Sequence, residues 1–168
     1  MKWTAKAAVA ITLLVAMFAG AAFAEVKSGT GGADIIGGTE DPDRLYGKGG
    51  DDFIVGREGD DKLYGGEGND DLFGRADNDE IRGGSGTDNV DGGPGIDVIY
   101  GEAGGDYLVD GPFGEDSLDI LDGGGGRDTM ITRNSPASTD VVYCGPGVDT
   151  VEADSEDIVS SDCERVNR

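Results

Sequence analysis

Nine aspartates, Asp34, Asp43, Asp52, Asp61, Asp70, Asp79, Asp88, Asp97 and Asp106, follow one another at a constant spacing of nine residues. An aspartate presents two hard, anionic oxygens, so a column of them is chemistry for hard cations. Catalysis fits the pattern less well. Paired carboxylates such as Asp51 and Asp52, or Asp60 and Asp61, resemble a glycosidase pair, but they recur with the repeat and are explained by it. The 168 residues include no His, which removes Ser-His-Asp and Cys-His machinery and His-based zinc sites. The chain also lacks a Gly-x-Ser-x-Gly elbow, a Walker loop and a full EF-hand, and no enzyme is expected. With 35 acidic against 13 basic residues the net charge is −22, which repels nucleic acid and anionic membranes.

The elements that position these aspartates are read from the same frame. Two residues after each Asp stands an apolar residue: Ile36, Leu45, Ile54, Leu63, Leu72, Ile81, Val90, Ile99 and Leu108. Five residues before each stands a glycine, as at Gly29, Gly38, Gly47 and on to Gly101. A second glycine often lies two before the Asp, as at Gly50, Gly68, Gly86 and Gly104. An isolated nonapeptide buries nothing, so the units must stack. The segment around the apolar residue makes a short strand with alternating side chains. The glycine-rich remainder turns, because glycine adopts positive φ without a Cβ clash. Two units then close one coil of about 18 residues. The expected fold is all-β: a parallel β-roll, or two-sheet β-solenoid, with odd and even units forming facing ladders. The regular region gives about four and a half coils and a rod on the order of 20 Å long.

The cleanest units are Gly65 to Phe73, Gly83 to Asp91 and Gly92 to Tyr100. They resemble the RTX, or haemolysin-type, calcium-binding nonapeptide Gly-Gly-x-Gly-x-Asp-x-U-x. The resemblance runs roughly from Gly29 to Glu152 and implies calcium held between stacked turns. The chemistry of the residues agrees, since calcium takes six to eight hard oxygens and accepts backbone carbonyls. One file of ions is expected between Asp34, Asp52, Asp70, Asp88 and Asp106, and a second between Asp43, Asp61, Asp79 and Asp97. The total is about seven Ca2+. Each Asp would give one oxygen to the ion above and one to the ion below. Turn carbonyls such as those of Gly66, Gly68, Gly84, Gly86, Gly93 and Gly95 would complete the ligand sets. Stacked carboxylates about 5 Å apart repel unless a cation lies between them, so folding should require the metal.

Four looser units follow, centred on Asp116, Asp128, Asp140 and Asp149, with apolar partners Leu118, Met130, Val142 and Val151. Ile120 to Asp122 and Thr132 to Asn134 read as insertions, and Asp116 and Asp128 as two further calcium ligands. The domain division is a signal peptide over 1–24, a β-roll over 25–152 (regular 29–109, irregular 110–152) and a terminal cap over 153–168. Lys2 and Lys6, the apolar run from Ala7 to Ala19 and the small residues Ala22 and Ala24 form the Sec-type pattern. The protein is therefore expected to be secreted and extracellular, with no membrane insertion.

Cys144 and Cys163 are then free to oxidise and are expected to form a disulfide tying the cap to the roll, a free redox thiol pair being the alternative. One outer row, Tyr46, Tyr64, Arg82 and Tyr100, falls at successive coils. It reads either as a cross-strand ladder or as a stacking surface for an extracellular glycan or protein partner in an adhesion module.

Overall fold

The computed structural model describes residues 24–111, 117–132 and 138–168. All of the signal-peptide segment except Ala24, the segment 112–116 that includes Asp116, and Asn134 lie outside the described residues. Among those described, the chain is all-β, with seventeen strands in two parallel sheets and no helix. The first sheet runs Val26–Ser28, Arg44–Gly49, Lys62–Glu67, Glu80–Gly86, Val98–Gly104, Ile120–Asp122, Val141–Tyr143 and Ile158–Val159, and the short strand Gly125–Gly126 also pairs with Val98–Gly104. The second runs Ile35–Gly37, Phe53–Arg57, Asp71–Arg75, Asn89–Asp91, Tyr107–Val109, Thr129–Thr132, Thr150–Ala153 and Arg165–Asn167. Apart from the short strand Gly125–Gly126, successive strands alternate between sheets, which is the β-roll the nonapeptide frame demands.

Register follows the apolar residue of each unit. Leu45, Leu63, Ile81, Ile99, Leu121 and Val142 pair in line along one sheet. Ile36, Ile54, Leu72, Val90, Leu108, Met130 and Val151 do the same along the other. Every one of these side chains is fully buried except Ile36, at 7% exposure. The two ladders are the core, each member contributing roughly 1.5–3 kcal/mol by removal of its apolar surface from water. At the first level of the first sheet the apolar residue gives way to Lys27, in register with Leu45. Its Nζ donates to the Gly37 carbonyl at 2.6 Å and pairs with Glu25.

The stack continues well past the regular region, to eight strands along the path of each sheet. The frame read for the first loose unit needs correction. Ile120–Asp122 is a strand rather than an insertion, Leu121 fills the core position and Leu118 is 45% exposed. The aspartate in register is Asp119. The Asp–x–Leu element Asp119 to Leu121 buries its leucine beside Ile99. Thr132, likewise, ends the strand Thr129–Thr132 and is fully buried. After Ala153 the final coil is short: Ile158–Val159 and Arg165–Asn167 extend the two sheets. Cys144 and Cys163 are disulfide-bonded, with Cα atoms 5.2 Å apart.

Candidate metal centres

Each turn connects a strand of one sheet to a strand of the other, and its aspartate sits where the turn re-enters a strand. In the first file the backbone N–H of Asp34 donates to Oδ1 of Asp52, Asp52 to Asp70, Asp70 to Asp88 and Asp88 to Asp106, at 2.7–2.9 Å. The chain of bonds continues to Asp128, Asp149 and Glu164. The second file joins Glu25, Asp43, Asp61, Asp79, Asp97, Asp119, Asp140 and Asp157 in the same way. The sequence separation of these pairs is 18 through the regular coils, 22 and 21 at the insertions, and 17 or 15 at the end. The ladder thus tolerates coils of different length, because what it holds constant is one carboxylate against one amide.

Oδ1 accepts from the neighbouring coil's amide, so the two oxygens of an aspartate sit in different environments. The Oδ2 atoms of Asp52, Asp61, Asp70, Asp79, Asp88, Asp97, Asp106, Asp128 and Asp149 are buried without a hydrogen-bond partner among the described residues. Buried anionic oxygens in that condition are costly unless a cation meets them.

The ends of the files are different. Asp34 Oδ2 accepts from the N–H and Oγ1 of Thr30, at 2.6 and 2.9 Å, and Asp43 Oδ2 accepts likewise from Thr39, at 2.6 and 3.0 Å. Further along, Ser117 Oγ donates to Asp119 Oδ2, and Thr132 Oγ1 to Asp157 Oδ2. Asp34 and Asp43 therefore open the files with protein donors on their second oxygen, whereas Asp52 to Asp106 and Asp128 do not.

Glycine serves the turns in two ways. The glycine five residues before each Asp has an ordinary φ, and space is what it provides. A Cβ on Gly101 would meet the Gly123 carbonyl at 2.5 Å and Asp106 Oδ2 at 2.6 Å. The missing side chain leaves a crevice in which a carboxylate oxygen and a carbonyl oxygen of the next coil approach the same point. Among the described residues, positive φ is confined to the residues four and two before the Asp. It occurs at Gly66, Gly68, Gly84, Gly86, Gly93 and Gly95, and also at Lys48, Arg57, Arg75, Asp77 and Glu102. The carbonyls of Gly66, Gly68, Gly86 and Gly93 face the matching glycines one coil on, Gly84, Gly86, Gly104 and Gly111. Hard oxygens thus crowd both lips of the turn.

Electrostatics follow from this burial. Removal from water pushes Asp79 up to about 8, Asp97, Asp106 and Asp140 to about 7, and Asp61, Asp88 and Asp128 to about 6, with the neighbouring aspartates of the file adding to the rise. The amide bond to Oδ1 pulls the other way without cancelling it. An oxygen-only site that resists its own charge and is lined with carbonyls suits a calcium-sized hard cation.

Outside the turns, Tyr46 and Tyr64 stack at 4.8 Å and 6°, and the guanidinium of Arg82 lies 4.2 Å over the Tyr100 ring. Arg82 also binds Glu80, which pairs with Lys62. The outer row is a cross-strand ladder in which two rings stack and a third is covered by a guanidinium. The nonapeptide frame misses Asp119, whose carboxylate joins the second file. Asp119 carried the same signal as the others, an apolar residue two places on, but Leu118 offered a competing frame.

No curated protein matches the chain. The family model of the RTX calcium-binding nonapeptide repeat matches in four copies, over residues 28–63, 46–81, 82–109 and 113–132. These copies take in the crevices and most of the orphaned carboxylates, and cover more than half of the sequence, so the chain belongs to the RTX calcium-binding nonapeptide repeat family.

Proposed function

We propose that this protein is a secreted calcium-binding β-roll, without catalytic activity of its own, that near neutral pH folds only when calcium is supplied. The observation that carries this reading is the row of nine buried Oδ2 atoms with no hydrogen-bond partner among the described residues. Asp52, Asp70, Asp88, Asp106 and Asp128 would hold ions along one edge, and Asp61, Asp79 and Asp97 along the other, with turn carbonyls supplying further oxygens. Calcium contributes positive charge there, offsetting repulsion among carboxylates that the fold brings into file. The chain's own residues do the rest: amides fix Oδ1, glycines clear the crevice, and the two apolar ladders set the register. Export is supported by the Sec-type pattern over residues 1–24 and by the disulfide, which fits an oxidising compartment. The Tyr46–Tyr64 stack and the Arg82 guanidinium over Tyr100 favour a structural ladder over a glycan-binding face.

The test is circular dichroism of the chain lacking residues 1–24, titrated with calcium and then with chelator. A β signal that appears with calcium and disappears with chelator is expected. A spectrum indifferent to both overturns the reading.

A further inference from the structure

The second file of turns does not begin on an aspartate. Its first member is Glu25, whose backbone nitrogen donates to Asp43 Oδ1 at 2.6 Å across 18 residues, just as the Asp43 nitrogen donates to Asp61 one coil on. Asp43 is 2% exposed, and its Oδ2 is already held by the N–H and Oγ1 of Thr39. The Glu25 nitrogen is the one donor to Oδ1 among the described residues. The rest of Glu25 is equally committed. Its carbonyl accepts from the Arg44 N–H at 2.8 Å, and its carboxylate pairs with Lys27.

Ala24, one residue earlier, is exposed and makes no hydrogen bond among the described residues. The bonded stack thus starts at the residue that the small pair Ala22 and Ala24 makes the first of an exported chain. Hydrolysis of the Ala24–Glu25 peptide by a signal peptidase adds one water across the C–N bond. Ala24 leaves with a carboxylate, and Glu25 keeps an α-amine that near neutral pH carries the released proton as an ammonium. An amide offers Asp43 one proton and no charge. An ammonium offers three protons and a positive charge, and such charge-assisted bonds are roughly twice as strong.

The surroundings have room for that charge. The cleft beside the bond is lined by Glu25, Asp43, Asp60, Arg44 and Lys62, among others. Glu25 is answered by Lys27 and Lys62 by Glu80, which leaves Asp43 and Asp60 facing Arg44.

We propose that the Ala24–Glu25 peptide is the processing site, and that the freed Glu25 ammonium seats on Asp43 as a cation of the protein's own, closing the second file. The proposal rests on the export reading above. It makes maturation part of folding, since the precursor has only a neutral amide to set against this buried carboxylate.

The mass of the exported chain is the first measurement, and a start at Glu25 is expected. Hydrogen exchange in saturating calcium then compares that chain with one retaining residues 21–24, each with and without Asp43→Asn. Retention is expected to quicken exchange at Val26–Ser28 and Arg44 about tenfold in the wild-type background, and to leave the Asp43→Asn pair alike. A further measurement needs no variant: an amine-acylating reagent should modify the Glu25 α-amine at least about tenfold more slowly in the folded chain than in urea. Equal exchange with and without residues 21–24, equal quickening in the Asp43→Asn pair, or an α-amine equally reactive folded and unfolded overturns the proposal. An exported chain cut at another bond does the same. A chain that keeps residues 1–24 and is not exported overturns instead the reading on which it rests.

Discussion

The backbone N–H of Asp70 donates to Oδ1 of Asp88 at 2.9 Å, one coil away, while Asp88 Oδ2 is buried with no hydrogen-bond partner among the described residues. A single side chain thus performs two separable tasks, and substitution can part them. Asp88→Asn keeps a carbonyl oxygen for the amide but places an NH2 group where the cation ligand stood. Its calcium affinity should fall on the order of tenfold for one ion, while the metal-free chain loses a repelling charge. Asp88→Ala removes both tasks and should cost a further 1–3 kcal/mol or so through the orphaned amide. Calorimetric titration and denaturation in saturating calcium measure the two effects; equal behaviour of the two variants would refute the division.

Acidity and calcium should act in opposite directions. The raised aspartates, from about 6 for Asp61 to about 8 for Asp79, bind protons more tightly in the fold than in the unfolded chain. Without metal, stability must therefore fall as pH climbs from the unfolded carboxylate range near 4 toward 8, and recover on acidification. Calcium needs the same groups deprotonated, so its affinity should rise over that window. A chelated sample titrated from pH 8 to 5 is expected to gain β signal; a loss would contradict the assignment.

Crowding at the glycine crevice gives a steric prediction. Gly101→Ala drives a Cβ into the Gly123 carbonyl and the Asp106 carboxylate, both backed by the neighbouring coil. A cost of about 1–3 kcal/mol and a weaker calcium response are expected. Gly31→Ala meets nothing within 4 Å and should be close to neutral. Chemical denaturation of the two variants in calcium checks the contrast.

The Cys144–Cys163 bond closes a loop with a sequence separation of 19. Replacing both by Ala should cost roughly 3 kcal/mol in the chain-entropy view, expressed first in the last coil. Hydrogen exchange of residues 158–167 should quicken more than that of the regular coils. Uniform loss across the stack would show that the bond steadies the whole roll.

Much of this architecture was legible because one interval repeats without slip. Leu45, Leu63, Ile81 and Ile99 announce a ladder whatever their neighbours do, and an Asp two places before each marks the turn. The reading failed where chain length varied. Leu118 and Leu121 both offered an apolar residue two after an acid, and only packing beside Ile99 selects Leu121. The inequality of the two carboxylate oxygens was hidden for another reason. It depends on an amide one coil away, and no local pattern encodes which oxygen that amide will take.

Lys27 gives the two ends of the rod unequal fates. Every level of this stack is a template of hydrogen-bonding edges for another copy in the same register, and such edges invite endless head-to-tail growth. At the first level the place of the ladder residue is held by a cation committed to Gly37 and Glu25. A second molecule docking there would have to bury that ammonium. A buried charge of this kind disfavours end-to-end pairing along this sheet, as edge lysines do elsewhere.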